Sequence, residues 1–162
     1  MNGSNLVGPR RNGYSLVELL IVLALLGLMA TAVIPLAELS VRREREKELK
    51  RSLWEIRDAI DAYKLAVDGG LIRPSPEGSS YPPSLRRLAD GVPDLHASSR
   101  RHTFLRRIPR DPFAPDGVQA EQGWGLRSYQ SPADRPHAGT DVYDVFSRSE
   151  QIGLNGVPLR EW

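Results

Sequence analysis

The chain has no cysteine among its 162 residues, which removes disulfides, thiolate metal sites and cysteine nucleophiles together. This does not assign it to a reducing compartment, because a domain with an adequate core needs no covalent staple. Histidine is almost as scarce: His96, His102 and His137 are the only three. None falls in a metal-ligand or catalytic-triad pattern, and His96 and His102 read as exposed loop residues. No catalytic residue and no small-molecule substrate is therefore expected, and the chain is not read as an enzyme. Charge imbalance is also slight, 22 basic against 20 acidic side chains for a net charge of +2. Arg10 and Arg11 account for that excess, so the remainder is formally neutral and offers nucleic acid little bulk attraction.

The last absence is local. No charged residue occurs from Leu19 to Ala37, a stretch that as a helix spans about 28 Å, close to the ~30 Å hydrocarbon thickness of a bilayer. It reads as a single transmembrane helix. Glu18 stands at its head and calls for an explanation, since an unpaired charge at membrane depth costs at least about 2.5 kcal/mol and usually marks a function or a partner.

Beyond the apolar run, Leu49, Leu53, Ile56, Ile60, Tyr63 and Val67 recur at alternating spacings of four and three, the stripe of an amphipathic helix. Arg42/Glu46, Arg51/Glu55, Arg57/Asp61 and Lys64/Asp68 are spaced to pair along it. Gly69-Gly70 supplies a stop. One long helix is expected, transmembrane in its first half and amphipathic in its second, with a kink at Pro35 and a solvated neck over residues 38–48.

After Gly70 the texture changes to proline- and serine-rich loops, with a short helix at Ser84–Ala89 capped by Ser84. Gly125–Gln130 and Asp141–Ser147 alternate as strands do, and Asn155-Gly156 is a hairpin-turn dipeptide. The fold class is α+β, a long N-terminal helix packed on a small antiparallel sheet. Between these elements, "SSRRHTFLRRIPR" gathers Arg100, Arg101, Arg106, Arg107 and Arg110 around Phe104. Such a patch could grip phosphates and stack a base, but pairing with acidic faces of neighbouring subunits is the preferred reading.

The N-terminus has the parts of a secretory signal peptide, including a small-residue site at Ala30-Thr31-Ala32 that would release a chain starting at Val33. Glu18 and the helix continuing without a break argue against it. "RRNGYSLVELLIVLALLGLMATAVIP" instead resembles the N-terminus of type IV pilins and of type II secretion pseudopilins: a basic leader ending in Gly13, an aromatic Tyr14, Glu18 and Pro35 all fall in register. Looser likenesses to the major pseudopilin follow in "YPPSLRRL", "IPRDPF" and "VYDVFSRS".

The resemblance implies a pilin-like organisation. Residues 1–13 would be a cleaved leader, 14–37 the transmembrane segment and 38–162 a periplasmic globular domain. A prepilin peptidase would cut between Gly13 and Tyr14, and the new Tyr14 amine would be methylated. Glu18 would pair with the Tyr14 amine of a neighbouring subunit during assembly, a way of making two buried charges tolerable. Expected partners are the peptidase, further copies, minor pseudopilins, an assembly platform and its ATPase. The expected function is that of a structural subunit of a pseudopilus driving protein export; the alternative is a type IV pilus for adhesion, motility or DNA uptake.

Two points sit awkwardly with the resemblance. Major pseudopilins bind calcium through an acidic C-terminal loop, whereas here the tail offers only Glu150 and Glu161, with Asp141 and Asp144 nearby, too few for calcium's six to eight oxygens. No cofactor is expected. The family topology puts the N-terminus in the cytoplasm and the domain outside the inner membrane, yet the basic neck, Arg42 to Arg51, favours the reverse by the positive-inside rule.

Overall fold

The computed structural model describes residues 13–97 and 99–162, without the side chains of residues 32–35. One helix, α1, runs Leu16–Asp68. From Leu36 to Asp68 it contains neither glycine nor proline, and its straight-chain Leu, Glu, Lys and Arg residues favour it. The chain divides into two compact units, residues 1–41 and residues 42–162.

The first unit holds the N-terminal part of α1. Every described side chain from Tyr14 to Thr31 and from Leu36 to Val41 is exposed, including Leu23, Leu26, Leu28 and Met29. A helix apolar all round and covered by nothing is one whose solvent is hydrocarbon, and α1 is long and apolar enough to cross a membrane. Pro35 lies within α1, but its expected kink falls on residues whose side chains are outside those described.

In the second unit, all six residues of the amphipathic stripe are buried, from Leu49 at 0% exposed to Val67 at 8%. The helix ends where expected. Gly70 adopts φ +69°, with Gly70 N–H bonded to Val67 O (2.9 Å) and Leu71 N–H to Ala66 O (2.8 Å). This is a Schellman closure, whose left-handed position suits glycine. α2 (Leu85–Asp90) follows with Ser84 accepting from Arg87 N–H as its cap, and Leu85 and Leu88 facing the core.

The strands are shorter and more numerous than the sequence suggested. β1 (Val92–Pro93) pairs antiparallel with β2 (Arg101–His102), and β3 (Trp124–Arg127), reached through the short helix α3 (Ala120–Gly123), pairs antiparallel with β4 (Asp144–Ser147). The expected single sheet is thus two ribbons. β3 begins one residue before the first predicted run and keeps its first three residues, and β4 keeps the last four of the second; β1 and β2 are too short to show any alternation. In the β3–β4 ribbon, Gly125 faces Phe146, whose ring would lie 2.3 Å from an added Cβ, so only glycine lets the ring lie flat across the strand. Trp124, fully buried, donates Nε1–H to Pro109 O at 2.9 Å. The Asn155-Gly156 turn forms within a three-residue loop closed by Gly153 N–H to Val157 O (2.8 Å) and an antiparallel bridge between Ile152 and Pro158. A 3-10 turn, Leu159–Glu161, then seats Leu159 in the core.

Two expectations need correcting here. Residues 38–48 are not wholly a solvated neck, because Glu46 is 8% exposed. The turn after Ile152 lies over it, and its carboxylate accepts the Leu154 N–H at 2.8 Å. His102 is not an exposed loop residue either. It belongs to β2, and its Nε2 lies 2.8 Å from Asp94 Oδ2 with both side chains largely buried. Histidine seldom signals its partner in sequence, and here the partner lies across a strand pair eight residues away.

Candidate functional site

The N-terminal junction is built from very little. A Cβ added at Gly13 would meet nothing within 4 Å, and Tyr14 is 79% exposed. Leu19 N–H bonds to Ser15 O at 3.1 Å, and α1 begins at Leu16. Glu18 therefore sits in the first helical turn, where the unpaired N–H groups and the helix dipole favour a carboxylate. Gly13, Tyr14 and Glu18 are all exposed, and they lie at the entry to α1. Arg10 and Arg11 lie outside the described residues.

A second constellation holds the C-terminal segment onto α1, and the sequence did not reveal it. Arg42 reaches the Ile152 carbonyl and lies 3.5 Å from Glu46, which binds Leu154 N–H. Lys50 stands over the Trp162 ring, 4.5 Å from its centre. Arg57 was expected to pair with Asp61. Instead its Nε donates to Asp144 Oδ1 at 2.8 Å, and its terminal nitrogen to Val145 O (3.1 Å) and Trp162 O (2.8 Å). Of the four expected pairs, Arg42/Glu46 and Lys64/Asp68 form. A charged residue beside the core stripe is the only sequence trace of this clamp, and nothing local points 87 residues ahead to Asp144.

The two aspartates considered for calcium are both engaged by protein donors. Asp141, 6% exposed, accepts from Ser128 Oγ (2.6 Å) and Tyr129 N–H (3.0 Å) on one oxygen, and from Ser79 Oγ (2.6 Å) on the other. Burial pushes its pKa up, but the Ser128 and Ser79 hydroxyls and the Tyr129 amide outweigh it and hold the carboxyl below its ordinary value. Asp144 is taken by Arg57 and by Val145 N–H. Glu150 and Glu161 are exposed, and among the described residues no three acidic or histidine side chains converge as metal ligands. These donors do not fit the oxygen cage that calcium requires.

The arginine-rich segment is committed in part, with Arg100, Arg106 and Arg107 exposed. Phe104 packs edge-on against Tyr63, ring centres 5.4 Å apart, so its ring is not free for a base. Arg101 bonds the Asp90 and Gly91 carbonyls, and Arg110 bonds Pro115 O. His96 is exposed, with Nε2 3.1 Å from Gly70 O, and His137 lies beside Ser131 Oγ at 3.2 Å.

Comparison with known proteins adds to this geometry. Residues 8–34 match the family described as the prokaryotic N-terminal methylation motif. The chain is 24% identical over 154 residues to type II secretion system core protein G of Klebsiella pneumoniae, covering 92% of this chain and 89% of the relative. It is 23% identical to the Escherichia coli K12 protein of the same name over 119 residues, 70% of this chain and 74% of the relative. The corresponding Pectobacterium carotovorum protein is 29% identical over 115 residues, 67% of this chain and 66% of the relative. No solved structure matches.

Proposed function

We infer that this chain is a pseudopilin, a structural subunit of a type II secretion pseudopilus. The observation that carries the reading is the coincidence of the methylation motif at residues 8–34 with likeness to core protein G along most of the chain. The protein is anchored by a single membrane pass and is processed by a peptidase before it assembles with other pseudopilins.

In this reading the cut falls between Gly13 and Tyr14 and the Tyr14 amine is methylated. The exposure of both residues supports accessibility to a membrane peptidase. Glu18 then meets the Tyr14 amine of a neighbouring copy. Either charge alone is costly in hydrocarbon, so only a docked subunit removes the penalty. Pro35 gives α1 a point where one backbone hydrogen bond is missing and bending is cheap. Minor pseudopilins, an inner-membrane platform and its ATPase complete the machine, and no nucleic acid or cofactor takes part.

We place the N-terminus in the cytoplasm and the unit from Arg42 to Trp162 in the periplasm. This placement rests on the likeness to core protein G; the basic neck, Arg42 to Arg51, lies close enough to the anchor for the positive-inside rule to count it and by that rule favours the reverse.

The test is the N-terminal sequence and mass of the protein from membranes containing an active prepilin peptidase. A start at Tyr14 carrying one added methyl group is expected; a start at Val33 would replace the pseudopilin with an ordinary secreted domain. Deleting the chain from its host should stop protein export while leaving twitching and DNA uptake intact, which separates the pseudopilus from the pilus alternative.

A further inference from the structure

Three of the chain's five tyrosines, Tyr81, Tyr129 and Tyr143, come from segments far apart in sequence and meet in one cluster. The Tyr129 ring is stacked on Tyr81, with centres 5.4 Å and planes 24° apart. Tyr143 stands steeply to both, 5.4 Å from Tyr129 and 5.1 Å from Tyr81. Tyr81 is buried and Tyr143 half-buried, but Tyr129 is 63% exposed. Its backbone is fixed: Tyr129 N–H donates to Asp141 Oδ1 and Ser131 N–H to Ser128 O, both at 3.0 Å. A single exposed aromatic is ordinary. One already seated on a second ring beside a polar cleft is a platform with little side-chain entropy left to lose on binding.

Tyr81 and Tyr129 line that cleft with Lys64, Glu77, Gln130 and Thr140, around a volume of about 410 Å³. This is within the range of about 300–1,000 Å³ common to small-molecule sites. Glu77, Gln130 and Thr140 are exposed, and their side chains have no hydrogen-bond partner among the described residues. The surroundings narrow the ligand. Lys64 Nζ lies 5.8 Å from the Tyr81 ring centre and the Arg127 guanidinium 4.9 Å from that of Tyr143, so the chain's own cations hold the ring positions a cationic ligand would seek. An anion is poorly served too, because Lys64 is paired with Asp68 and Glu77 faces the same space. A proline-rich peptide wants a groove lined by several bare rings, and here one ring is bare. A neutral molecule with a flat apolar face and a rim of hydroxyls remains, which describes a pyranose.

We propose that this cleft binds a neutral, β-linked glycan, with one pyranose stacked on Tyr129 and its hydroxyls bonded by Glu77, Gln130 and Thr140. A β-linked chain with equatorial substituents presents flat C–H faces to the ring, whereas an α-linked chain curves away from it. The site draws only on residues of the C-terminal unit and stands whether or not the pseudopilin reading does. Each copy carries one such site, so in an assembly of many copies binding too weak for one becomes effective.

The test is saturation-transfer NMR on the full-length chain in a detergent without a sugar headgroup, which would otherwise compete. The probes are cellotriose, N-acetylated chitotriose, α-linked maltotriose and a proline-rich peptide. Irradiating the aromatic protons should transfer saturation to the ring C–H protons of a β-linked sugar, with millimolar affinity. Preference for chitotriose would point to an N-acetylated glycan and preference for cellotriose to a plain glucan, and either supports the site. Tyr129→Ala should weaken binding about tenfold and Tyr129→Trp should retain it. Gln130→Ala and Thr140→Val, which leave the rings in place, should each weaken it about threefold and decide the matter if Tyr129→Ala does not fold. The proposal is overturned if neither β-linked sugar receives saturation at tens of millimolar, or if maltotriose binds as well as they do. Unchanged binding in the folded Tyr129→Ala protein, or binding of the peptide alone, overturns it equally. None of these results bears on where the leader is cut, so a failure here leaves the pseudopilin reading standing.

Discussion

The two parts of α1 share a backbone and differ in everything else. From Leu16 to Thr31 no side chain is buried, although nearly all are apolar; from Glu46 to Val67 burial recurs every third or fourth residue. A helix of the first kind cannot be explained by its own chain, and its stability must come from lipid or from other copies. A helix of the second kind is explained by its own domain. Apolar content therefore marks the anchor, and apolar periodicity marks the core; each predicts a different response to the same mutation.

Truncating a core aromatic should produce the largest effect. Trp124→Ala removes a fully buried ring and its bond to Pro109 O, and should cost about 3–5 kcal/mol by urea unfolding of the full chain in detergent. Leu23→Ala, in the anchor, should change the same transition by less than about 0.5 kcal/mol. Comparable losses at the two sites would erase the distinction between the halves.

Next in size is Asp141→Ala, which strands two hydroxyls and one amide and should cost about 2–3 kcal/mol. Its lowered pKa also fixes a sign. The native state holds the ionised form more tightly than the unfolded chain does, so this stability is complete above the ordinary carboxylate pKa and is lost as pH falls through the lowered native value. The wild type should lose stability on acidification through that window, and the alanine variant should lose less. An identical acid dependence in both would remove Asp141 from the account.

Glu46→Ala should cost less, about 1–2 kcal/mol, because it frees Leu154 N–H and leaves Arg42 with the Ile152 carbonyl. The informative readout is hydrogen exchange. Amides from Gly153 to Trp162 should lose protection while those of Leu53 to Val67 keep theirs. Uniform loss across both segments would show that the clamp is part of the global core instead of a local fastening.

The sequence made the helix legible from end to end: its stripe, its Gly70 closure and the Ser84 cap each follow from local rules that use spacing or one residue type. The N-terminal methylation motif at residues 8–34 was legible because its features lie close together in the sequence. What stayed hidden was long-range polar pairing. Arg57 had a plausible partner at Asp61, four residues on, and the structure gives it Asp144 and the Trp162 carbonyl. Glu46 looked like one more charge in a mixed-charge helix until the Ile152–Pro158 turn covered it. Local spacing offers a partner within one turn, and a fold can always override it with a better-buried one. His102 and Asp94 were missed for the same reason, since β1 and β2 are two residues each and carry no periodicity to read.

The smallest expected effect is none. In the C-terminal region, positions that could have held a cation are filled by protein donors: Asp141 by two serines and an amide, Asp144 by Arg57 and an amide. Adding millimolar calcium, or removing it with chelator, should leave the thermal midpoint of the full chain in detergent unchanged. A resident site would be hard to miss. At a hundred times its dissociation constant, calcium would stabilise the native state by about 2.7 kcal/mol. A shift of that order would mean that Asp141 or Asp144 releases its donors to the ion. Arg57→Met should then strengthen calcium binding, because it frees Asp144 and removes the guanidinium that occupies the cation's place. If Arg57→Met leaves the midpoint calcium-independent, the arginine is a fastener for residues 144–162 and stands in for no metal.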